Sequence, residues 1–263
     1  MQSAADISWL DLAVGYIILI IPILVFRYYK TGLIKDTLIS VGRMTVQLLL
    51  VGLYLEFIFK LNNPLINIFW VMIMIVISSF TIIKRSELSI RMYFFSVVFA
   101  LSASIIIIDA FFLGVVIRLN NIFDARYLVP ITGMLLGNCL QNNIIALNSY
   151  YSKLAKEQVL YRFSLANGAT RAEALLPFMR DALKKSFNPT IANIAVLGLI
   201  SLPGMMTGQI LGGSNPVVAI KYQIMIMITI FVAGIITVVL TINTANKYVF
   251  DEFDNLKNAG TNR

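Results

Sequence analysis

The sequence contains no histidine and a single cysteine, Cys139, among its 263 residues. The lack of histidine excludes histidine–cysteine zinc sites, histidine general bases and histidine proton relays. The single cysteine excludes a disulfide framework within the chain. A metal bound by this chain would therefore have to meet oxygen ligands or methionine sulfur.

Charge is also scarce. Charged residues make up 13% of the chain, hydrophobic residues make up 59%, and the mean hydropathy is +0.83. No water-soluble domain of this size needs so much apolar surface, so we expect an all-α polytopic membrane protein with a single transmembrane domain over residues 1–263. The first eight residues contain Asp6 and no lysine or arginine. We therefore expect no cleaved signal peptide, and the first span should be retained.

Motifs for covalent chemistry are missing as well. The sequence has no G-x-x-x-x-G-K-[ST] phosphate loop and no G-x-S-x-G, H-E-x-x-H or C-x-x-C. We expect that the chain is not an enzyme and does not bind ATP through a phosphate loop. The net charge of +8 falls mostly on loops, where membrane topology explains it, so nucleic-acid binding is not needed to account for it.

What the sequence does have is seven apolar runs, each long enough to cross a bilayer. They cover residues 9–26, 38–59, 65–83, 92–117, 128–147, 191–212 and 217–242. Of the 21 basic residues, only Lys60, Arg118 and Arg126 fall in the segments that would lie outside if the N-terminus is outside. Arg43 and Lys221 lie within runs, and all the others fall on the inner side. The positive-inside rule therefore predicts seven transmembrane helices with the N-terminus outside and the C-terminus in the cytoplasm.

The longest polar stretch between these runs covers residues 149–189, which this orientation places in the cytoplasm. It carries seven basic residues against three acidic ones. At its centre, Asn167-Gly168 predicts that one helix ends, and Thr170 with Glu173 three residues later predicts a capping box that starts the next. Pro177 should end or kink the new helix within about two turns.

Two functions fit this short, capped, basic helix. It could present itself to a soluble partner, or it could be an interfacial amphipathic hairpin that lies on anionic lipid. The residues of the stretch leave both interpretations open.

Small residues recur at helical spacing in two of the runs, where they let helix backbones approach closely. They are Gly133 and Gly137 in the fifth run, and Gly204, Gly208 and Gly212 in the sixth. Packing within the chain is the favoured explanation, and a homodimer seam is the alternative. Pro203, just before the second group, should kink the sixth run.

Polar residues inside the runs are costly and indicate functional positions. Asp109 lies deep in the fourth run, and it is either a cation ligand or the structural partner of Lys221. Glu56 lies near the outer end of the second run, where it can reach the interface or Lys221. The fifth run holds a cluster of amides, for which hydrogen bonding between helices is favoured over ligand contact: Asn138, Gln141, Asn142 and Asn143.

Residues 133–228 resemble the permease subunit of the bacterial iron-export (Fet-type) ABC transporters, a family that includes plant permeases linked to aluminium tolerance. The residues that carry the resemblance are Ser201-Leu202-Pro203-Gly204-Met205-Met206-Thr207-Gly208, Asn215-Pro216-Val217, Ala219-Ile220-Lys221-Tyr222-Gln223-Ile224-Met225, Leu165, Gly168-Ala169-Thr170 and Pro189-Thr190. The eight-residue S-L-P-G-M-M-x-G run followed by A-I-K-Y-Q-I is specific. The first half of the chain agrees only in the number of spans and in charge pattern.

The resemblance implies a homodimer of permeases docked onto two copies of a separate ATPase, which would bind ATP and magnesium. It also makes the bend at Gly168 similar to the coupling loop of ABC permeases in general. The coupling residues would be Arg162, Asn167, Gly168, Ala169, Thr170 and Glu173. The broader pattern has Glu-Ala-Ala six residues ahead of the glycine, whereas this chain has Arg162-Phe163-Ser164, so the match is partial.

We therefore expect the pore-forming subunit of an ABC exporter of an iron-like metal, in the plasma membrane. Candidates for the substrate path are Glu56, Asp109, Asn138, Gln141, Met205 and Met206, and the motif residues with a structural role are Pro203, Gly204, Gly208, Pro216 and Lys221. The alternatives are a secondary carrier with Asp109 and Lys221 as a charge relay, and a receptor or scaffold that recruits a partner through its basic loop.

Overall fold

A computed structural model of the chain describes residues 7–257 and is all-α within that range, apart from two isolated bridges. Asp6 and Arg263, which entered the arguments from sequence, lie outside the described residues. The helices are α1 (Trp9–Gly15), α2 (Ile20–Tyr28), α3 (Ile34–Leu61), α4 (Pro64–Arg85), α5 (Ile90–Asp109), α6 (Ala125–Lys156), α7 (Gln158–Ala166), α8 (Arg171–Val196), α9 (Gly204–Leu211) and α10 (Pro216–Val249). A 3₁₀ turn joins α1 to α2, and a π-helix, Ala110–Val116, extends α5.

Five helical stretches are long and apolar enough to cross a membrane: Trp9–Tyr28, Ile34–Leu61, Pro64–Arg85, Ile90–Val116 and Pro216–Val249. They cover five of the seven predicted runs, the run 92–117 to within one residue. The chain is a multi-pass membrane protein. The predicted run 128–147 lies inside α6, a helix of 32 residues. α6 is less apolar than α3, α4, α5 and α10, and it carries several amide side chains.

The sixth predicted run, residues 191–212, is not one continuous helix, and that prediction was wrong. α8 ends at Val196 and α9 begins at Gly204. Between them, Gly198 has a φ of +81° and its N–H donates to the Ser201 carbonyl at 3.0 Å. A glycine adopts this left-handed conformation at little cost. Pro203 then lies at the N-cap of α9 rather than inside a kinked helix.

The core of the bundle lies where α10, α5, α6, α4 and α8 meet. Its largest fully buried side chains include Tyr93, Phe112, Leu101 and Phe178. At Gly234, α10 comes closest to its neighbours, because an added Cβ would lie 2.5 Å from Asn142 Nδ2 and 3.1 Å from Phe187. Close backbone approach at small residues is how helices associate where lipid removes the hydrophobic gain.

Short polar caps fix one end of the bundle. Asn63 caps α4 by accepting from the Leu65 N–H at 2.9 Å, with Pro64 at the first helical position. Asn62 accepts from the Ala125 N–H at 2.9 Å and so ties the α3–α4 turn to the start of α6. Asn215 caps α10 in the same way as Asn63 caps α4.

Candidate functional site

The hairpin formed by α7 and α8 is built as the sequence predicted at its bend. α7 ends at Ala166, and Gly168 follows with a φ of +88°. Glycine is the residue for which this conformation carries no Cβ penalty. The capping box is confirmed, because Thr170 Oγ1 accepts from the Glu173 N–H at 3.3 Å and the Thr170 N–H donates to Glu173 Oε2 at 2.8 Å. The hydrogen bonds that the Thr170 N–H and the Thr170 hydroxyl donate to the Glu173 carboxylate hold the pKa of Glu173 below its usual value.

The helix that follows is longer than predicted. α8 runs for 26 residues through both Pro177 and Pro189. Of the two outcomes predicted for Pro177, an end or a kink, the end is therefore wrong. Proline removes one backbone hydrogen bond, but the flanking residues Ala174, Leu175 and Phe178 are buried against the bundle. This packing holds the helix together across Pro177. The prediction therefore failed because it weighed a local rule without the tertiary contacts.

α8 is anchored to α6 by an ion pair. Lys153 Nζ, near the end of α6, donates to Asp181 Oδ2 of α8 and lies 5.8 Å from the centre of the Phe178 ring. The hydrogen bond from Lys153 lowers the pKa of Asp181, and the same bond raises the pKa of Lys153. Movement of the N-terminal half of α8 is therefore resisted by α6.

A turn at the end of α10, residues 250–257, holds the hairpin from the other side. Arg171 Nη1 donates to Asp254 Oδ1 at 3.0 Å, and the guanidinium carbon lies 5.7 Å from the Phe250 ring centre. Tyr161 of α7 donates its hydroxyl to the Asp254 carbonyl at 3.0 Å and stacks near Phe250. Sequence reasoning missed this contact, because Arg171 and Asp254 are separated by 83 residues and no local pattern links them.

The outer surface of the hairpin is partly apolar. On α7, Val159 is 83% exposed, Phe163 is 65% exposed, and Leu160 is also exposed. Arg162 lies among them and is exposed too. The predicted coupling residues Asn167, Gly168, Thr170 and Glu173 are likewise exposed, and Ala169 is half-buried. The predicted residues are thus accessible or half-accessible on the hairpin, as are Val159, Leu160 and Phe163.

Inside the bundle, Asp109 is buried at the junction of α5 and the π-helix. Its Oδ2 accepts from Thr132 Oγ1 of α6 at 2.6 Å, while no hydrogen-bond partner reaches its Oδ1 from the described residues. Lys221 is exposed, and no ion pair within residues 7–257 joins it to Asp109. The predicted Asp109–Lys221 pair was wrong, and Thr132 takes the place of the lysine. Short π-helices are frequent at functional sites.

Glu56 lies apart from this site. It is exposed on α3 and forms an ion pair with Lys60, four residues later, at 2.7 Å. Lys221 was also suggested as its partner, and no such pair exists among the residues that the structure describes.

The amide cluster on α6 divides into two faces. Asn143 is fully buried and donates to Thr237 Oγ1 of α10 at 3.0 Å, which confirms hydrogen bonding between helices at this position. Asn142 is buried beside Gly234. Asn138 and Gln141 are exposed, and Asn138 donates to the Met134 carbonyl of its own helix at 2.9 Å. The two path candidates of α6 therefore lie outside the packed core of a single chain.

The two methionine candidates lie near a cavity of about 780 Å³ between α9, α10 and the end of α8. Met206 and Pro203 line this cavity together with Met227 and Gln223. Gln223 Oε1 is buried without a hydrogen-bond partner in the described part of the chain. Met205 packs against the core.

The close helix contacts in the structure do not coincide with most of the glycines at which they were predicted. At Gly204, Gly208 and Gly137, an added Cβ would meet nothing within 4 Å, so these glycines mark no close helix contact within the chain. Gly133 does approach Met74, whose Cε would lie 3.2 Å from a Cβ there. The tightest approach, at Gly234, was not predicted, because a single glycine in an apolar run carries no spacing signal.

The path candidates do not form a single site. No hydrogen bond or ion pair joins any two of them in the described range, and that range holds no group of three acidic or cysteine side chains that could hold a metal ion. Asp109, the α6 amides and the methionine cavity are three separate polar or polarisable positions. Pro216 is the first residue of α10 and directly follows the N-cap residue Asn215. Proline suits this position, because its missing N–H would have no partner within the helix.

Comparison with known proteins gives the family of the chain. The model of an uncharacterised protein family, UPF0014, matches residues 9–250. The UPF0014 membrane protein YjkA of Bacillus subtilis is 30% identical over 89% of this chain and 92% of its own. The probable iron export permease protein FetB of Escherichia coli is 30% identical over 90% of this chain and 91% of its own. Protein ALUMINUM SENSITIVE 3 of Arabidopsis thaliana is 30% identical over 82% of this chain and 77% of its own.

No solved structure matches the chain. The similarity to relatives covers nearly the whole chain and so extends beyond residues 133–228, where the motifs first indicated it. The first half therefore resembles the relatives in sequence as well as in span number and charge. The chain belongs to the UPF0014 family of membrane proteins.

Proposed function

We propose that this chain is the permease subunit of an ABC transporter that exports a metal ion with energy from a separate ATPase. The observation that carries the proposal is the α7–α8 hairpin, whose bend at Gly168 presents exposed apolar and basic side chains on one accessible surface. Apolar side chains with arginine are typical of protein interfaces. Export of iron is what the name of the relative FetB states for that protein.

The hairpin is connected to the bundle in a way that suits transmission of movement. α8 is a 26-residue helix, roughly 39 Å long, whose start is fixed by the capping box. The Lys153–Asp181 pair connects it to α6, and the Arg171–Asp254 pair connects it to the end of α10. A partner that moves the hairpin would therefore pull on α6 and α10.

These two helices take part in the buried polar contacts of the bundle, to which α5 contributes Asp109. Asn143 of α6 donates to Thr237 of α10, and Thr132 of α6 donates to Asp109. Asp109 keeps one carboxylate oxygen without a partner in the described range, and oxygen is a suitable ligand for a hard metal ion. In this proposal, relative movement of α6 and α10 changes access to Asp109.

A homodimer completes the proposal. The exposed amides Asn138 and Gln141 and the open glycine Gly137 lie on α6, away from the core. Polar side chains within membrane spans rarely face lipid and normally face protein or a water-filled cavity. A second copy that covers this face would place both amides at the seam or along the path.

The secondary-carrier alternative loses its main support, because Lys221 is exposed and forms no ion pair with Asp109 in the described range. The receptor or scaffold alternative shares the same hairpin surface and is separated by experiment. The possibility that Val159 and Phe163 rest on a lipid surface is also separated from the transporter by the experiment below.

The test is reconstitution of the full chain in liposomes with a soluble phosphate-loop ATPase from the same genome. We expect the two chains to co-purify and Fe²⁺ to stimulate ATP hydrolysis. Complex formation without metal-stimulated hydrolysis would favour a scaffold. Metal transport driven by an ion gradient without any ATPase would overturn the proposal.

The proposed orientation has its own test. Cysteines introduced at Asn63 and Asn121 should react with impermeant reagents in intact cells, and one at Lys184 should not. The native Cys139 is buried and so contributes little background. Labelling at Lys184 alone would reverse the orientation.

A further inference from the structure

A groove of about 510 Å³ runs between α8 and α10 beside the hairpin. This volume lies within the range of about 300–1,000 Å³ that is typical of small-molecule sites. One end of the groove is polar and holds Arg171, Asn243 and Lys247, and the rest of the wall is apolar, with Leu176, Met179 and Leu183. The groove is thus amphipathic along its length.

The helical spacing explains this arrangement. Leu176, Met179 and Leu183 recur at intervals of three and four residues, so they form one stripe along α8. Arg171 is the first residue of α8, at one end of that stripe. On α10, Asn243 and Lys247 are four residues apart and lie just beyond the apolar run 217–242. The cationic end of the groove therefore lies at the membrane surface, and its apolar part extends towards the bilayer.

The charge at this end is not neutralised. Lys247 is exposed and has no ion-pair partner among residues 7–257. Arg171 uses Nη1 for Asp254, but a guanidinium has five N–H donors. Asn246, also in the lining, is already bonded to Tyr150 and Tyr151. The charged side chains that line the groove are thus both cationic, and its lining includes no carboxylate.

We propose that this groove binds an anionic phospholipid, with the headgroup phosphate at Arg171 and Lys247 and an acyl chain along the α8 stripe. Basic pockets between transmembrane helices at the membrane surface suit anionic headgroups. The continuous apolar wall argues for a lipid rather than a free anion, which would gain nothing from Leu176 or Met179. This binding goes beyond the transport function and does not depend on it.

The site has a consequence for the hairpin. Arg171 follows the Gly168 bend by three residues and also contacts the turn at residues 250–257. A bound lipid would link the start of α8 to the end of α10 through its phosphate. The lipid would then stabilise the hairpin in the bent form that the structure shows.

The experiment is native mass spectrometry of the full chain, delipidated in detergent and titrated with phosphatidylglycerol or with phosphatidylcholine of the same acyl chains. We expect one tightly bound phosphatidylglycerol per chain. Lys247→Gln should weaken its apparent affinity about fivefold, the effect of one basic residue near a membrane surface. The matched control is Lys156→Gln, an exposed lysine at the end of α6 outside the groove, which should leave the affinity unchanged.

A second variant and a second ligand complete the test. Met179→Trp should obstruct the apolar wall and reduce phosphatidylglycerol binding while leaving both cations in place. Equal binding of the two lipids, or an equal loss in Lys156→Gln, would overturn the site. Protection against thermal unfolding by inorganic phosphate alone, at the concentration at which phosphatidylglycerol protects, would overturn the choice of a lipid.

Discussion

The helices α3 and α10 are both long and apolar, but they differ in how much of their surface packs against the rest of the chain. They have 28 and 34 residues and mean hydropathies of 1.7 and 2.7 over their most apolar stretches. In α10, 44% of that stretch is buried inside the chain, whereas in α3 none of it is. Ile58, near one end, is the single buried residue of α3. Hydropathy thus indicates that a helix enters the membrane, but it does not indicate which neighbours the helix packs against.

What distinguishes α10 is its set of small and hydroxyl residues on the packed face. Ala233, Gly234 and Thr237 are buried there, and Thr237 accepts from Asn143. The glycines of α3, Gly42 and Gly52, have open space where a Cβ would be. Close approach and hydrogen bonding between helices are the main forces of association in lipid. In the described residues, α3 shares a hydrogen bond between Thr45 and Tyr16, but it has no buried small residue of this kind. Most of its surface is therefore free for lipid or for another subunit.

The largest expected effect tests this contrast directly. Gly234→Val should destabilise the bundle by about 1–3 kcal/mol, the usual cost of overpacking, because the new side chain would overlap Asn142 and Phe187. Gly52→Val on α3 is the control and should change stability by less than about 0.5 kcal/mol. Thermal unfolding in detergent measures both. Equal effects would show that α3 is packed as tightly as α10.

The next effect concerns the hairpin. Gly168→Val should cost about 1–2 kcal/mol, because valine resists the positive φ at this position. The bundle should stay folded, while co-purification of the ATPase and its metal-stimulated hydrolysis fall. Gly32→Val is a matched control, since Gly32 also has a positive φ, +74°, and open space around it, but lies in the α2–α3 turn. If both variants lose coupling equally, the hairpin has no special role.

A third prediction concerns the partner of Asp109. A double-mutant cycle of Asp109→Asn with Thr132→Val should give a coupling of about 1 kcal/mol, because the two side chains share a hydrogen bond. The cycle with Lys221→Met should give less than about 0.5 kcal/mol, since no ion pair joins these residues in the described range. The measurement is unfolding in detergent for each variant. A large Lys221 coupling would restore the charge-relay interpretation.

The smallest effect is a pH dependence of the contact between α8 and α6. The pKa of Asp181 is lowered by Lys153, so the contact is stabilising above the ordinary pKa of an aspartate and is lost as the pH falls through the lowered value. Because the pKa of Lys153 is raised, the contact persists through neutral pH. The protection factors for hydrogen exchange in the N-terminal half of α8, corrected for the intrinsic exchange rate at each pH, should therefore fall only in acid. Asp181→Asn should remove this acid dependence, and an unchanged profile would contradict the assignment.

The features that depend on a few neighbouring residues follow from the amino-acid sequence alone. Asn167-Gly168 and the Thr170–Glu173 box specify a helix end and a helix start, because both act through backbone conformation and hydrogen bonds within one turn. The apolar runs specified a multi-pass membrane protein, because the cost of unpaired backbone groups in lipid requires helices.

The contacts between residues far apart in the chain became visible in the three-dimensional structure. The Asp109–Thr132 hydrogen bond, the Arg171–Asp254 pair and the close approach at Gly234 each join different helices. Tertiary packing also overrode a local rule, because α8 continues through Pro177. The division of the apolar run 191–212 at Gly198 is local, and hydropathy alone did not indicate it. Hydropathy treats all apolar faces alike, whereas side-chain shape and hydrogen bonding decide which faces meet.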